Sequence, residues 1–130
     1  MEIKNLKKYL LFFFIIQFLN LETLSASDWL NGNKAVFQGL DKITARIKTF
    51  KIKVGEEVKF GVLDIKLEKC VYSKPTNTPE SVAFIKISDD TKKKLTLDNI
   101  IIFKGWIFAS SPALNALEHP VYDLTLISCK

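Results

Sequence analysis

Hydrophobic and polar residues alternate with a period of two through most of the chain. Apolar side chains alternate with charged ones over residues 50–54 and again over residues 63–67, which is the pattern of a strand with one buried face. The inward phase shifts by one residue across Gly61 and Val62. Because a slip of one residue would send every following side chain to the wrong face, a tight turn or a bulge is predicted there.

Short strands separated by turns are predicted from residue 35 to the end of the chain. The polar segment 73–80 contains two prolines and is predicted to be a loop, because proline does not extend a central strand. Segment 88–94 is predicted to be a charged turn, and segment 104–108 a buried strand. Residues 35–40 form a short apolar stretch, and the predicted strands comprise residues 45–54, 58–60, 63–72, 81–87, 95–103, 104–108 and 121–129.

One short helix is predicted over residues 112–117. A serine followed by Pro112 is typical of a helix start, because the hydroxyl of Ser110 or Ser111 caps free amides while proline lacks the amide it would leave unpaired. The helix must end near His119, since Pro120 excludes helix just before it. In the last strand, the alternation places Val121, Thr125, Ile127 and Cys129 on one face and Tyr122, Leu124 and Leu126 on the other.

These elements predict an all-β protein. Six or seven short strands with one short helix before the last strand favour a small antiparallel sandwich or barrel. The only segment long enough for a full helix is N-terminal, so a doubly wound α/β fold is excluded.

The N-terminal segment departs from the alternating pattern. Three lysines precede an apolar run at residues 9–19, and a positive start followed by about 7–15 apolar residues is the layout of a secretory signal peptide. The run is shorter than the roughly 20 residues that span a bilayer. We predict a signal helix in residues 1–26, cleaved after Ala26, and one periplasmic β domain in residues 27–130, with membrane contact only through the signal segment before cleavage. An uncleaved anchor in the inner membrane is the alternative.

The net charge and the arginine content of the chain give little support to the hypothesis of an anionic binding partner. The chain of 130 residues has 19 basic and 14 acidic residues, and the predicted signal segment contains three of the former and two of the latter, so the remaining domain has a net charge of +4. Arg46 is the only arginine, and recognition of phosphate or guanine depends on the planar Arg fork. A nucleic-acid partner is therefore not expected.

The two cysteines, Cys70 and Cys129, are 59 positions apart. Export places them in an oxidising compartment, where such a pair is expected to form one disulfide. Closing so long a loop is worth about 4 kcal/mol by chain entropy. A redox-active pair is the alternative, but such sites usually use the Cys-x-x-Cys spacing.

Metal and cofactor sites are not predicted. One histidine and two cysteines that pair with each other cannot form a zinc site of three or four ligands without carboxylates gathered by the fold. Asp89 and Asp90 next to a lysine run are too poor a ligand set for calcium. No glycine-rich loop is present that would hold the phosphates of a nucleotide cofactor.

The most distinctive segment covers residues 105–123. It contains Trp106, the run Phe-Ala-Ser-Ser-Pro at 108–112 and the run Leu-Asn-Ala-Leu-Glu-His-Pro at 114–120, followed by Tyr122 and Asp123. With a final cysteine shortly after, this signature segment resembles domain-of-unknown-function family 2155, an uncharacterised family of exported alphaproteobacterial proteins.

The resemblance covers nearly the whole predicted domain. Further matching residues lie at 40–46, 54–56 and 60–61 and at Cys70, whereas residues 92–99 and Ile107 depart from the family pattern. The resemblance implies export and pairing of the cysteines, but it supplies no activity because the family has none assigned.

The polar and aromatic residues of the signature segment form the candidate site. A hydrolase would use His119 as base, Glu118 as orienting group and a serine as nucleophile, but adjacent residues point different ways and no G-x-S-x-G elbow surrounds the serines. Free amides and hydroxyls at the helix start could instead bind an anion. In a purely structural interpretation, a serine caps the helix, Asn115 and His119 satisfy backbone groups, and Tyr122 anchors the last strand. The candidate ligand or partner residues, none of them assigned a catalytic role, are Trp106, Phe108, Ser110, Ser111, Asn115, Glu118, His119, Tyr122 and Asp123.

Two function hypotheses follow. The favoured one is a non-enzymatic periplasmic binding or scaffold module whose signature segment docks an envelope protein or a cell-wall component; it predicts an exposed apolar patch around Trp106, Phe108 and Tyr122. The alternative is a small hydrolase acting on a cell-wall or saccharide substrate. It predicts His119 in a concave pocket, within hydrogen-bond reach of a hydroxyl or a carboxylate.

Overall fold

A computed structural model describes residues 2–18, 28–91 and 100–130. Within these ranges, an N-terminal helix precedes eight strands, and a 3₁₀ helix lies before the last strand. The elements are α1 (Glu2–Phe18), β1 (Trp29–Asn31), β2 (Lys34–Asp41), β3 (Arg46–Lys53), β4 (Glu57–Phe60), β5 (Leu63–Ser73), β6 (Ser81–Asp89), β7 (Ile101–Phe108), the 3₁₀ helix (Pro112–Asn115) and β8 (Tyr122–Cys129).

The strands form two antiparallel sheets, which confirms the all-β prediction. The five-stranded sheet has the order β1-β5-β6-β7, with β4 also paired to β5, and the three-stranded sheet has the order β3-β2-β8. Apolar side chains from both sheets meet in one core that includes Phe37 and Ile52 from the small sheet and Leu67 and Ile85 from the large one. Alternating strands bury one face each, so two such sheets stabilise one another by packing face to face.

The phase shift at Gly61 is a tight turn, as predicted. Residues 61 and 62 connect β4 to β5, and Gly61 has a φ of +59°. Residues other than glycine rarely adopt this backbone conformation. Phe60 before the turn and Leu63 after it are both buried. A Cβ atom on Gly61 would lie 2.4 Å from the ring of Tyr122, so this glycine also leaves the space that the tyrosine occupies.

At the C-terminal end of β8, the prediction of which side chains point to which face of the sheet is wrong. Val36 of β2 pairs with Ser128 while the next residue, Phe37, pairs with Leu126, so Ile127 is an unpaired bulge residue. A bulge reverses the alternation beyond it. Cys129 is therefore buried on the same face as Leu126, and Ile127 is 48% exposed.

The segment around β7 also differs from its prediction. Residues 95–99 of the predicted strand 95–103 lie outside the described residues, and a single strand, β7, begins at Ile101. The predicted buried strand 104–108 is wrong, because β7 is the last strand of its sheet and only Ile107 in it is buried. The preceding strand, β6, continues to Asp89 instead of ending at Ile87 because its pairing with β5 extends to Leu63.

The predicted helix 112–117 is a single 3₁₀ turn that ends at Asn115. Neither predicted serine cap forms: Ser111 makes no side-chain cap hydrogen bond, and the Ser110 hydroxyl donates to Glu80. The backbone carbonyl of Ser111 instead accepts from Leu114 N at 3.1 Å. Pro112 at the first helical position is as predicted.

Cys70 and Cys129 are joined by the predicted disulfide, which connects β5 of the large sheet to β8 of the small one. Both residues are buried in the core. Gly32 lies against this bond, since a Cβ atom there would be 3.1 Å from Cys70 Sγ and 2.9 Å from the carbonyl oxygen of Lys130. The disulfide therefore fixes the C-terminal strand to the opposite sheet.

Residues 9–18 of the apolar run form the second half of α1, and the side chains of Leu10 to Phe14 are exposed. The predicted cleavage site after Ala26 lies outside the described residues. In the ranges that the structure describes, no helix is long and apolar enough to cross a membrane.

Removal of the disulfide tests its predicted contribution. Replacing both cysteines, as Cys70→Ala with Cys129→Ala, is expected to lower the free energy of unfolding by about 3–5 kcal/mol, because the 59-residue loop is no longer closed in the unfolded chain. Urea unfolding of the double variant and the parent measures this difference. A loss below about 1 kcal/mol, or two reactive thiols per chain in the unreduced parent, would contradict the prediction.

Alanine substitutions at two glycines with positive φ distinguish the cost of backbone strain from the cost of displacing a packed side chain. Gly55→Ala is expected to cost about 1 kcal/mol, because its φ is +87° but nothing lies within 4 Å of the new methyl group. Gly61→Ala adds displacement of the Tyr122 ring and is expected to cost about 2–4 kcal/mol. Equal costs for the two variants in urea unfolding would show that the Tyr122 ring is not tightly packed on this turn.

Candidate functional site

The signature segment is divided between the two ends of β6. Ser110 bonds to Glu80, the residue before this strand, through both its backbone N–H and its hydroxyl. His119 lies 3.4 Å from the carboxylate of Asp89, the last residue of the strand. Because β6 spans nine residues, and a strand rises about 3.3 Å per residue, the two ends are roughly 26 Å apart.

His119 organises the turn that enters β8. Its Nδ1 accepts hydrogen bonds from the backbone N–H groups of Val121 and Tyr122, each at 3.1 Å. Since Nδ1 accepts, the ring proton resides on Nε2, which faces Asp89 Oδ2. The His119 side chain is only 9% exposed and that of Asp89 only 5%. Both ring nitrogens are therefore occupied by partners within the fold.

Asp89 is the carboxylate that accepts the buried hydrogen bond from His119. Burial alone would raise the pKa of its carboxyl group, but the hydroxyl and backbone N–H of Thr91 and the ring of His119 donate to it, and the net effect lowers its pKa. Thr91 N and Oγ1 lie 2.8 and 2.5 Å from Asp89 Oδ1. The carboxylate is thus ionised and held in place at neutral pH.

Tyr122 and Asp123 attach the same turn to the two sheets. The Tyr122 ring centroid is 5.3 Å from that of His119 and 5.4 Å from that of Phe60 in β4. Lys42 donates to the backbone carbonyl of His119 at 2.6 Å and forms an ion pair with Asp123 at 3.6 Å. Tyr122 is therefore packed between His119 and Phe60, whereas the Asp123 side chain is half-exposed and ion-paired with Lys42.

The structure does not bring the predicted hydrolase residues, His119, Glu118 and a serine, together at one site. Glu118 is exposed, and the partner of His119 is Asp89, which the sequence analysis did not select. Ser110 is at the opposite end of β6, and Ser111 is its neighbour. A base must be within hydrogen-bond reach of the group it deprotonates, and neither serine meets this requirement.

The other half of the signature segment lies on the face of the five-stranded sheet that points away from the core, which we call the outer sheet face. Pairing of β1, β5, β6 and β7 arranges its side chains in rows across the sheet. The rows are Trp29, Ser73, Glu80 and Ser110; then Asn31, Val71, Val82 and Phe108; then Lys69, Phe84 and Trp106; then Lys66, Lys86 and Lys104.

An aromatic patch occupies the middle of the outer sheet face. Trp106 is 39% exposed and packs edge-on against Phe84, with ring centroids 5.1 Å apart. Phe108 is half-buried beside it. Asn115 donates from its side-chain amide to the Trp106 carbonyl at 2.8 Å, so the 3₁₀ helix fixes the edge strand that presents the tryptophan.

Tyr122, predicted to belong to this patch, lies on the other side of the sheet against Phe60 and His119. The third aromatic residue of the patch is Phe84 instead of Tyr122. The sequence contains a signal for Phe84 that the strand prediction did not use: Val82 and Phe84 are apolar at the positions of β6 that alternation assigns to solvent.

Lysines border the aromatic patch on one side. Lys66 and Lys86 lie 3.6 and 3.8 Å from Glu68 and share this single carboxylate. Lys69 and Lys104 are exposed and make no ion pair within the described ranges of the chain. The patch is therefore flanked by net positive charge.

A polar cleft of about 720 Å³ lies at the opposite end of the outer sheet face. Burial raises the pKa of Glu80 in its wall, but donors from the Ser110 hydroxyl and from the backbone N–H groups of Ser110 and Ser81 lower it more, so its net pKa is below the ordinary value. Sequence reasoning assigned residues 73–80 to a loop and identified only Ser110 in this cleft. The lining residues are Asp28, Trp29, Ser73, Lys74, Thr76, Asn77, Thr78, Pro79, Glu80 and Ser110.

No metal centre is apparent among residues 2–18, 28–91 and 100–130, because no three His, Cys, Asp or Glu side chains there are grouped to hold an ion.

Comparison with known proteins places the signature segment in a family. Residues 35–129 match the family described as an uncharacterised protein conserved in bacteria, DUF2155. The chain belongs to this family. An uncharacterised protein of Rickettsia prowazekii (strain Madrid E) is 30% identical over 108 residues, which cover 83% of this chain and 68% of the relative. No solved structure matches the chain significantly.

The His119 turn is expected to contribute stability that depends on pH. Asp89→Asn and His119→Ala should each lower the free energy of unfolding at pH 7 by about 1–3 kcal/mol, since each leaves buried donors or acceptors without a partner. Glu118→Ala, an exposed neighbour, should change it by less than about 0.5 kcal/mol. Urea unfolding measures all three variants.

The pH dependence of Asp89→Asn has a defined sign. Because the pKa of Asp89 is lower in the folded state than its ordinary value of 3.8, its contribution is complete above about pH 4 and is lost as the pH falls through the folded pKa. The stability gap between parent and Asp89→Asn should therefore narrow on acidification. A gap that is constant from pH 7 to pH 3 would contradict this assignment.

Proposed function

We propose that this domain is a non-enzymatic binding or scaffold module of the cell envelope that docks its partner on the outer sheet face. The observation that carries the proposal is the aromatic patch: Trp106 packs edge-on against Phe84, and Phe108 lies in the next row of the same sheet face, which points away from the core. Exposed aromatic groups at the centre of a polar surface are typical of the residues that dominate binding energy. The partner is an envelope protein or a cell-wall component.

Location in the periplasm, after removal of an N-terminal signal, is part of this proposal. The apolar helix α1 with its lysine-rich start and the buried disulfide support it, because disulfides persist in oxidising compartments. Retention in the inner membrane through an uncleaved α1 is the alternative location, and in both cases the β domain faces the same compartment.

A hydrolase centred on His119 is the less favoured function. Its Nδ1 is committed to two backbone donors and its Nε2–H to Asp89, so the ring has no free lone pair for a substrate proton. The two serines of the signature segment lie at the other end of β6, out of reach of this ring.

A photo-crosslinking experiment in cells tests the docking surface. A photo-reactive residue placed at position 108 is expected to give a discrete crosslinked product with an envelope component, and Trp106→Ala in the same chain should reduce its yield at least about fivefold, since loss of a central aromatic contact costs more than 1 kcal/mol. Fractionation of the same cells should recover the domain in the periplasm or, if α1 is retained, in the inner membrane.

The matched control uses the other sheet. Ile47 in β3 is 63% exposed, so a photo-reactive residue at position 47 should give no such product, and Ile47→Ala should leave the product at position 108 unchanged. Equal crosslinking from positions 47 and 108, or a yield insensitive to Trp106→Ala, would contradict the proposal. Urea unfolding of Trp106→Ala verifies that the variant is folded.

A further inference from the structure

The polar cleft at the residue-80 end of the outer sheet face has a composition unlike that of the aromatic patch. Its volume of about 720 Å³ falls within the range of 300–1,000 Å³ that is usual for small-ligand sites. The cleft has one large ring, Trp29, which is 43% exposed. Five of the nine other lining residues have hydroxyl or amide side chains.

The hydrogen-bonding groups of the cleft fall into two sets. Ser73 and Glu80 are occupied, because the Ser73 hydroxyl donates to Thr78 O and accepts from Glu80 N while the Glu80 carboxylate accepts from Ser110 and Ser81. These bonds make one wall rigid. The side chains of Thr76, Asn77 and Thr78, in contrast, form no hydrogen bond within the described residues, and together they offer hydroxyl and amide donors and acceptors.

The charge of the cleft limits the class of ligand. Asp28 and Glu80 contribute two carboxylates, and the one ammonium group, that of Lys74, lies 2.7 Å from Asp28. The pKa of both carboxyl groups is below its ordinary value, so both are ionised at neutral pH. A phosphate or an acidic peptide would be repelled by this net negative charge.

We propose that the cleft binds a neutral saccharide, with one pyranose ring against the Trp29 indole and its hydroxyl groups bonded to the side chains of Thr76, Asn77 and Thr78. A sugar ring has an apolar C–H face and a rim of hydroxyl groups, which correspond to an exposed aromatic ring bordered by neutral polar side chains. The inference rests on the proposed function, since it assigns the cell-wall component as a glycan, but it concerns a different part of the outer sheet face from Trp106.

Tryptophan fluorescence of the full chain tests the cleft directly because the sequence has only two tryptophans. In the variant Trp106→Phe, Trp29 is the sole reporter, and titration with the β-1,4-linked tetramer of N-acetylglucosamine or with cellotetraose is expected to shift its emission to shorter wavelength, with a Kd of about 0.1–1 mM. In the reciprocal variant Trp29→Phe, the Trp106 emission should not shift. Tetraglutamate is the anionic comparison and should leave both reporters unchanged.

Affinity variants then locate the site. By equilibrium dialysis with the bound tetrasaccharide, Trp29→Ala is expected to weaken binding about tenfold or more, and Asn77→Ala about threefold or more. Ile47→Ala, on the opposite sheet, should leave the affinity unchanged. Circular dichroism confirms that each variant is folded.

The outcomes separate this inference from the proposed function. No emission shift with either tetrasaccharide up to about 10 mM, a shift with tetraglutamate alone, or saccharide binding that is unaffected by Trp29→Ala and Asn77→Ala would overturn the saccharide site. The docking surface at Trp106 would survive each of these results, because its crosslinking at position 108 is measured independently.

Discussion

The disulfide between Cys70 and Cys129 is the constraint on which the two-sheet arrangement depends. It joins the C-terminal half of β5 to the end of β8, and therefore the large sheet to the small one, at a point buried in the common core. Around it, Lys130 exchanges backbone hydrogen bonds with Lys34, and Cys129 N donates to the Ser81 hydroxyl at 3.0 Å. The C-terminal strand is thus attached both to its own sheet and to the opposite one, which matters because a domain of this size has little stability to spare.

A second attachment lies at the other end of β8. There the His119 ring, the Asp89 carboxylate and the Gly61 turn hold the start of the strand against the large sheet. Residues that look like catalytic candidates in the sequence are used here to satisfy backbone donors and to fill space. The proposed docking surface lies elsewhere, on the outer sheet face, where Trp106 of the edge strand β7 packs against Phe84 of β6.

Local pattern was sufficient to predict most of the strands, but it predicted neither the short strand β1 nor the contacts between strands. The alternation in residues 63–67, the turn at Gly61 and the loop 73–80 were all predictable because each is encoded within a few neighbouring residues. The bulge at Ile127 was not, since it depends on the pairing of β8 with Val36 and Phe37 about 90 positions earlier. Asp89 and Glu80 were missed for the same reason: their signature partners are each 30 positions away, and only the antiparallel sheet brings them together.

The central claim is that the signature segment has a structural half at His119 and an exposed half at Trp106, and the state of the single histidine tests it most directly. A long-range proton–nitrogen correlation spectrum of the folded domain at neutral pH reports which ring nitrogen of His119 carries the proton. The hydrogen bonds from Val121 and Tyr122 predict one tautomer, with Nδ1 unprotonated and a slowly exchanging proton on Nε2. A proton on Nδ1, or a rapidly exchanging mixture of the two tautomers, would contradict the claim and return His119 to the set of groups available for chemistry.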